Sequence, residues 1–191
     1  SITFFNIPSS VKTIAGSAFE QCSSMVAIHL PESIEEIGTS AFGYCSSLVT
    51  LQIPPKVKVL PIGMCRYCES LATVSLPAGL TAISSSAFGG CENLTDVSVP
   101  QGVSSIGESA FQACQNMRNI QLPPSVQSIG RAVFSGCSSL ESLEFPDQLL
   151  NVSDSCCTRM VYERSTRCFC RAHNRHYCFY YSFCFFIKRY F

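Results

Sequence analysis

Thirteen cysteines make sulfur the first chemistry to consider in this chain. Cys65 and Cys68 form a C-x-x-C, the spacing of half a zinc site or of a dithiol redox pair. A zinc centre needs a second such pair or two histidines nearby, and a redox dithiol needs a strand-helix-strand context. Neither accompanies this pair, and no metal, cofactor or catalytic site is expected. His29 is the one histidine before residue 173, and no serine or cysteine recurs beside it as a nucleophile would. Glu32, Glu35 and Glu36 read as a solvated acidic patch rather than an acid/base pair. The triplets beginning at Asn93 and Asn151 match glycosylation sequons, which matter only on a secreted chain in a glycosylating host.

The wider spacing explains most of the cysteines. Cys22, Cys45, Cys68, Cys91, Cys114 and Cys137 are 23 residues apart, and so are Pro8, Pro31, Pro54, Pro77, Pro100, Pro123 and Pro146. Phe19, Phe42, Phe88, Phe111 and Phe134 keep the same step, with Met64-Cys65 replacing the Ala-Phe pair in one unit. A fixed period of this size marks stacked repeats. Catalysis has no use for six copies of one thiol, whereas a stacked core does. In a parallel stack these cysteines would lie about 4.8 Å apart with side chains pointing the same way, a poor geometry for disulfides. They are expected to be inert core thiols, in a ladder with the phenylalanines.

Each unit opens on a short run such as "LATVSLP", whose Val74 and Leu76 alternate with Thr73 and Ser75 as in a half-buried strand. The proline ends the strand because it has no N–H for a ladder. About 17 residues return to the next strand, enough for a parallel crossover but too few for a long helix. Apolar residues three apart in the return, Leu80 and Ile83 for example, predict 3₁₀-like turns, and "SSAFGGC" reads as one helical turn. Gly38, Gly63, Gly107 and Gly130 are read as bends that need backbone freedom. Val103, Ile106, Phe111, Cys114, Met117, Ile120 and Leu122 are expected to face inward and stack on neighbouring units.

The repeat spans residues 1–152, about six and a half units. Ile2 already fills the first repeat position, which predicts an N-terminally truncated array. The formal net charge of zero hides a split: residues 1–152 hold six Lys/Arg against eleven Asp/Glu, and residues 153–191 hold seven against two. The repeats therefore carry no basic footprint for nucleic acid. No stretch has the 18 or so consecutive apolar residues of a membrane span. The tail, 153–191, is a separate Cys/aromatic/basic segment with six cysteines and eleven aromatics. Three readings compete for it: a disulfide-bonded cap, a membrane-associating tail around residues 177–187, or a mispredicted coding end. Its residue types share pyrimidine-ending codons, which favours the last, and a poorly ordered segment is expected.

The unit L-x-x-I-x-L-P-x-x-V-x-x-I-G-x-x-A-F-x-x-C resembles the leucine-rich repeat of the BspA-like surface-antigen family, except at Met64-Cys65. The resemblance implies an α/β repeat solenoid: a curved, right-handed stack with short parallel strands on the concave side and 3₁₀ or short-helix returns on the convex side. It also implies placement at the cell surface or secretion, and contact with a protein or glycan partner, without enzymatic activity. The alternative is a structural scaffold whose arrays associate end to end. Outward strand positions form the candidate binding face: His29, Thr50, Gln52, Thr73, Ser75, Asp96, Ser98, Arg118, Asn119, Gln121 and Glu144. Val26, Val49 and Ala72 make its first stretch apolar, and Glu141 adds to the charge at its end.

Overall fold

The computed structural model describes residues 4–153 and 155–157. In chain order its strands are β1 (Phe4–Asn6), β2 (Thr13–Ile14), β3 (Ala27–His29), β4 (Glu36–Ile37), β5 (Thr50–Gln52), β6 (Val59–Leu60), β7 (Thr73–Ser75), β8 (Ala82–Ile83), β9 (Asp96–Ser98), β10 (Ser105–Ile106), β11 (Asn119–Gln121), β12 (Ser128–Ile129) and β13 (Asn151–Val152). All pairings are parallel and join residues 23 apart, such as Thr50 with Thr73 and Ser105 with Ser128. One repeat is therefore one turn of a solenoid, built as the leucine-rich periodicity predicts.

The three-residue strands form a principal ladder in two parts, β1-β3-β5-β7 and β9-β11, and an Asn119–Ser142 bridge extends the second part by one more rung. Each is followed by a proline whose carbonyl accepts from the N–H three residues on, as Pro77 does from Leu80 at 3.0 Å. The two-residue strands form a second ladder that the sequence pattern did not reveal. It breaks between β4 and β6, at Pro61. Gly38, Ser84, Gly107, Gly130 and Ser153 donate from this position to a carbonyl of the rung before, and proline has no N–H to do so.

The expected helical return does not form: among the described residues there is no α- or 3₁₀-helix. In "SSAFGGC" every second N–H is given to the next rung, Ser86 to Glu108, Phe88 to Ala110 and Gly90 to Gln112, at 2.7 to 2.8 Å. Those left between them, Ala87 and Gly89, close single i to i−3 turns. A helix would use consecutive N–H groups within the segment, so linking the rungs and forming a helix exclude one another.

Two left-handed residues per rung make this path. Positive φ recurs at Ser17, Ser40, Gly63, Ser86, Ser109, Ala132 and Ser155, and again at Gln21, Tyr44, Tyr67, Gly90, Ala113 and Gly136. The bend positions are thus mostly not glycine. Of the four glycines expected to bend, only Gly63 has positive φ. Gly107 and Gly130 serve a close approach instead: a Cβ on either would lie 2.5 Å from the backbone nitrogen of Ser85 or Glu108 in the preceding rung.

The core runs the length of the stack. Phe42, Phe88, Phe111 and Phe134 are fully buried, and Phe19 and Cys22, in the first such turn of the chain, are half-buried. Phe88 and Phe111 stack at 5.5 Å between centroids, as do Phe19 and Phe42, and Phe111 and Phe134 stack at 6.1 Å. At the departing rung Met64 and Cys65 are both fully buried. The large side chain has moved to the alanine position and the small one to the phenylalanine position, which keeps the volume roughly constant. Leu122, expected inside, is half-buried.

Two stability predictions follow from this geometry. Ala113→Gly and Ala132→Gly should each stabilise by about 0.5–1 kcal/mol, the left-handed penalty less the entropy of glycine, in chemical denaturation. Cys65→Phe should cost about 1–3 kcal/mol by overpacking and Met64→Ala about 2–5 by leaving a cavity. The double variant restores the Ala-Phe pair and should recover most of both losses; simple additivity would contradict the volume exchange.

Candidate functional site

The cysteine ladder is packed and closed. Cys45, Cys65, Cys68, Cys91, Cys114 and Cys137 are buried free thiols. Each rung cysteine after the first donates its S–H to a backbone carbonyl one rung earlier: Cys45 to Phe19, Cys68 to Phe42, Cys91 to Cys65, Cys114 to Phe88 and Cys137 to Phe111, at 3.0 to 3.3 Å. Burial pushes the Cys91 and Cys114 thiols well above their ordinary range, and that of Cys137 up to about 12. Such thiols stay protonated, and only a thiolate is a nucleophile or metal ligand. Among the described residues no group of three or more His, Cys, Asp or Glu could hold a metal ion.

The candidate binding residues are all exposed, from His29 to Glu144. Strand register aligns them in columns, Thr50 beside Thr73, Gln52 beside Ser75, Asp96 beside Asn119 and Ser98 beside Gln121. Only Asp96 and Asn119 bond each other, Asn119 Nδ2 donating to Asp96 Oδ1 at 3.2 Å. Two more side-chain rungs stand just before those strands, Gln115 donating to Glu92 and Asn116 to Asn93, both at 3.0 Å. Asn93 and Asn151, the sequon residues, are exposed. The earlier rungs expose Val26 (45%) and Val49 (39%) on the same columns.

Repeat conservation matches this architecture to known proteins. A model of the BspA type leucine rich repeat region, in six copies, matches residues 1–117 and 62–184. The chain belongs to this family. Leucine-rich repeat families generally serve binding or scaffolding and are typically non-enzymatic. A leucine-rich repeat protein from Bacteroides ovatus is 32% identical over 81% of this chain and 43% of its own, with a TM-score of 0.78. One from Eubacterium ventriosum shows the same fold at 23% identity, covering 87% of this chain and 45% of its own, with a TM-score of 0.74. The T. pallidum leucine rich repeat protein is 26% identical over 80% of this chain and 69% of its own, at a TM-score of 0.52. The chain thus spans less than half the length of the first two. No match was found among curated proteins. No helix of the described residues is long and apolar enough to cross a membrane. The tail beyond residue 157, with its aromatic run, lies outside the described residues.

One surface cluster escaped the sequence reading. Tyr44 and Tyr67 stack at 5.2 Å, and the Arg66 guanidinium lies 5.8 and 5.1 Å from their ring centroids. The signal was a single column of the repeat, Gln21, Tyr44, Tyr67, Gly90, Ala113 and Gly136, in which only two rungs are aromatic.

The thiols give a pH prediction. Native Cys137 holds its proton up to about pH 12, whereas the unfolded thiol loses it near 9.0. Its contribution is complete below pH 9, and stability should fall as pH rises from there. Denaturation midpoints at pH 7 and pH 10 should differ less in Cys91→Ala and Cys114→Ala than in the parent. Iodoacetamide should label these thiols only on unfolding; rapid labelling of the native chain would contradict the closed ladder.

Proposed function

We propose that this chain is a non-enzymatic binding module that recognises a protein or glycan through the outward face of its principal ladder, the concave side of the solenoid. The observation that carries the reading is the register: eleven exposed side chains fall into columns one rung apart. Along those columns the chemistry runs from apolar Val26 and Val49, through the Asp96–Asn119 pair, to Arg118, Glu141 and Glu144. An extended surface of this kind suits a ligand that crosses several rungs. The reading treats residues 1–152 as one unit displayed at the cell surface or secreted, as in the surface antigens whose repeat this one resembles.

The test uses the full chain against immobilised extracellular-matrix proteins and a glycan array. Arg118→Ala and Asn119→Ala should weaken a detected interaction by about tenfold, the scale of a hot-spot contact, at unchanged melting temperature. Folded variants that bind as the parent does would remove the strand face from consideration.

A further inference from the structure

The rung at residues 54–68 differs from every other in charge. It holds Lys56, Lys58 and Arg66, three of the six Lys/Arg in residues 1–152, and its nearest acid in sequence is Glu69, just past it. Lys56 is paired with Glu35 at 3.2 Å, while Lys58 and Arg66 form no ion pair among the described residues. The same rung exposes Val59 (47%), Ile62 (55%) and Tyr67 (40%), and Tyr44 adds its ring from the rung before. Arg66 is held against both rings, so its guanidinium is pre-positioned without a carboxylate partner.

The backbone beneath the rings is costly. Tyr44 and Tyr67 have φ of 60° and 57°, left-handed values that bulky residues rarely adopt. Gln21 and Ala113 share this left-handed turn, which belongs to the repeat, and Gly90 and Gly136 meet it without strain. A Cβ on Gly90 would collide with the Tyr67 ring, so the glycine leaves room for that ring to lie across the next rung.

We infer that Tyr44, Arg66 and Tyr67 form a docking site for an acidic segment of a protein partner that also carries an apolar or aromatic side chain. The site is separate from the strand face and does not depend on it. The unpaired Arg66 guanidinium selects an anionic partner, and the two exposed rings select one with an apolar anchor. Arg66 at the rings, with Lys58 as the only other unpaired cation of the segment, is too little charge for an anionic membrane, which calls on about four to eight. Sulfated glycans likewise need longer basic clusters, of about five to eight residues.

The probe is a random copolymer of glutamate and tyrosine, titrated against the full chain by biolayer interferometry. Saturable binding that weakens with salt is expected, with polyglutamate binding less well. Arg66→Gln should lower affinity about tenfold, as should Tyr67→Ala. Tyr67→Gly, which suits the positive φ, should lose binding while gaining stability, and so separates loss of contact from loss of fold. Absence of binding, or binding unchanged in folded variants, would overturn the proposal. Equal, Arg66-dependent binding of heparin or of phosphatidylserine vesicles would also overturn it, assigning the cluster to a glycan or a lipid surface.

Discussion

Each rung lacks the hydrogen-bond partners to satisfy its own backbone, and this one constraint shapes the rest of the molecule. The strands bond residues 23 apart, and the turn N–H groups reach carbonyls 22 residues ahead, as Phe42 does to Met64 and Phe111 to Val133. Three sides of the rung are thus stapled at offsets that recur with the 23-residue period. An extra residue anywhere in a unit would put two of those sides out of register and leave polar backbone groups buried without partners, at several kcal/mol in all. The unbroken period from the first proline to the last is the sequence record of that requirement.

The same constraint selects the cysteine. Its column lies where a carbonyl of the preceding rung points into the core, already accepting one N–H: Phe88 O takes the Cys91 N–H at 3.1 Å and the Cys114 S–H at 3.3 Å. A thiol fills the space as a small hydrophobe and adds a weak donor. Serine would supply a stronger donor at a greater desolvation cost, and alanine would supply none. No buried side-chain nitrogen or oxygen among the described residues lacks a partner, as expected of a core whose polarity is confined to the backbone and these thiols.

The period made the solenoid, its strands and its buried columns legible, because 23-residue identity and alternation in runs such as Thr73 to Leu76 survive single substitutions. The second ladder was hidden: two-residue strands such as Ser105–Ile106 are too short for alternation to register. The helical turn was misread because "SSAFGGC" has apolar spacing that fits one, and the competing use of its N–H groups lies in the next rung. Left-handed bends at Ser86, Ser109 and Ala132 carry no glycine to announce them, whereas Gly107 and Gly130 announce a bend and instead permit close approach. The outward face could be listed but not ranked, since Thr50 or Ser98 has the same composition whether it meets a ligand or only water. The tyrosine pair was missed because its stacking spans 23 residues and only one pair of rungs.

A core repeated this faithfully leaves few places for function to be written. Departures from the unit therefore carry more weight than the unit itself, and they coincide at residues 54–68. There the second ladder loses a hydrogen bond at Pro61, the Ala-Phe pair becomes Met64-Cys65, and the surface turns basic and aromatic. The rung can absorb the first two changes because its staples are redundant: Ile62, Met64 and Arg66 still accept from Ser40, Phe42 and Tyr44 at 2.7 to 2.9 Å, and β7 stays paired with Thr50, Leu51 and Gln52 of β5. That redundancy separates fold from surface. A rung held on three sides can vary its exposed residues, and even one core pair, without releasing its neighbours, so new recognition chemistry can arise within an array whose architecture does not change.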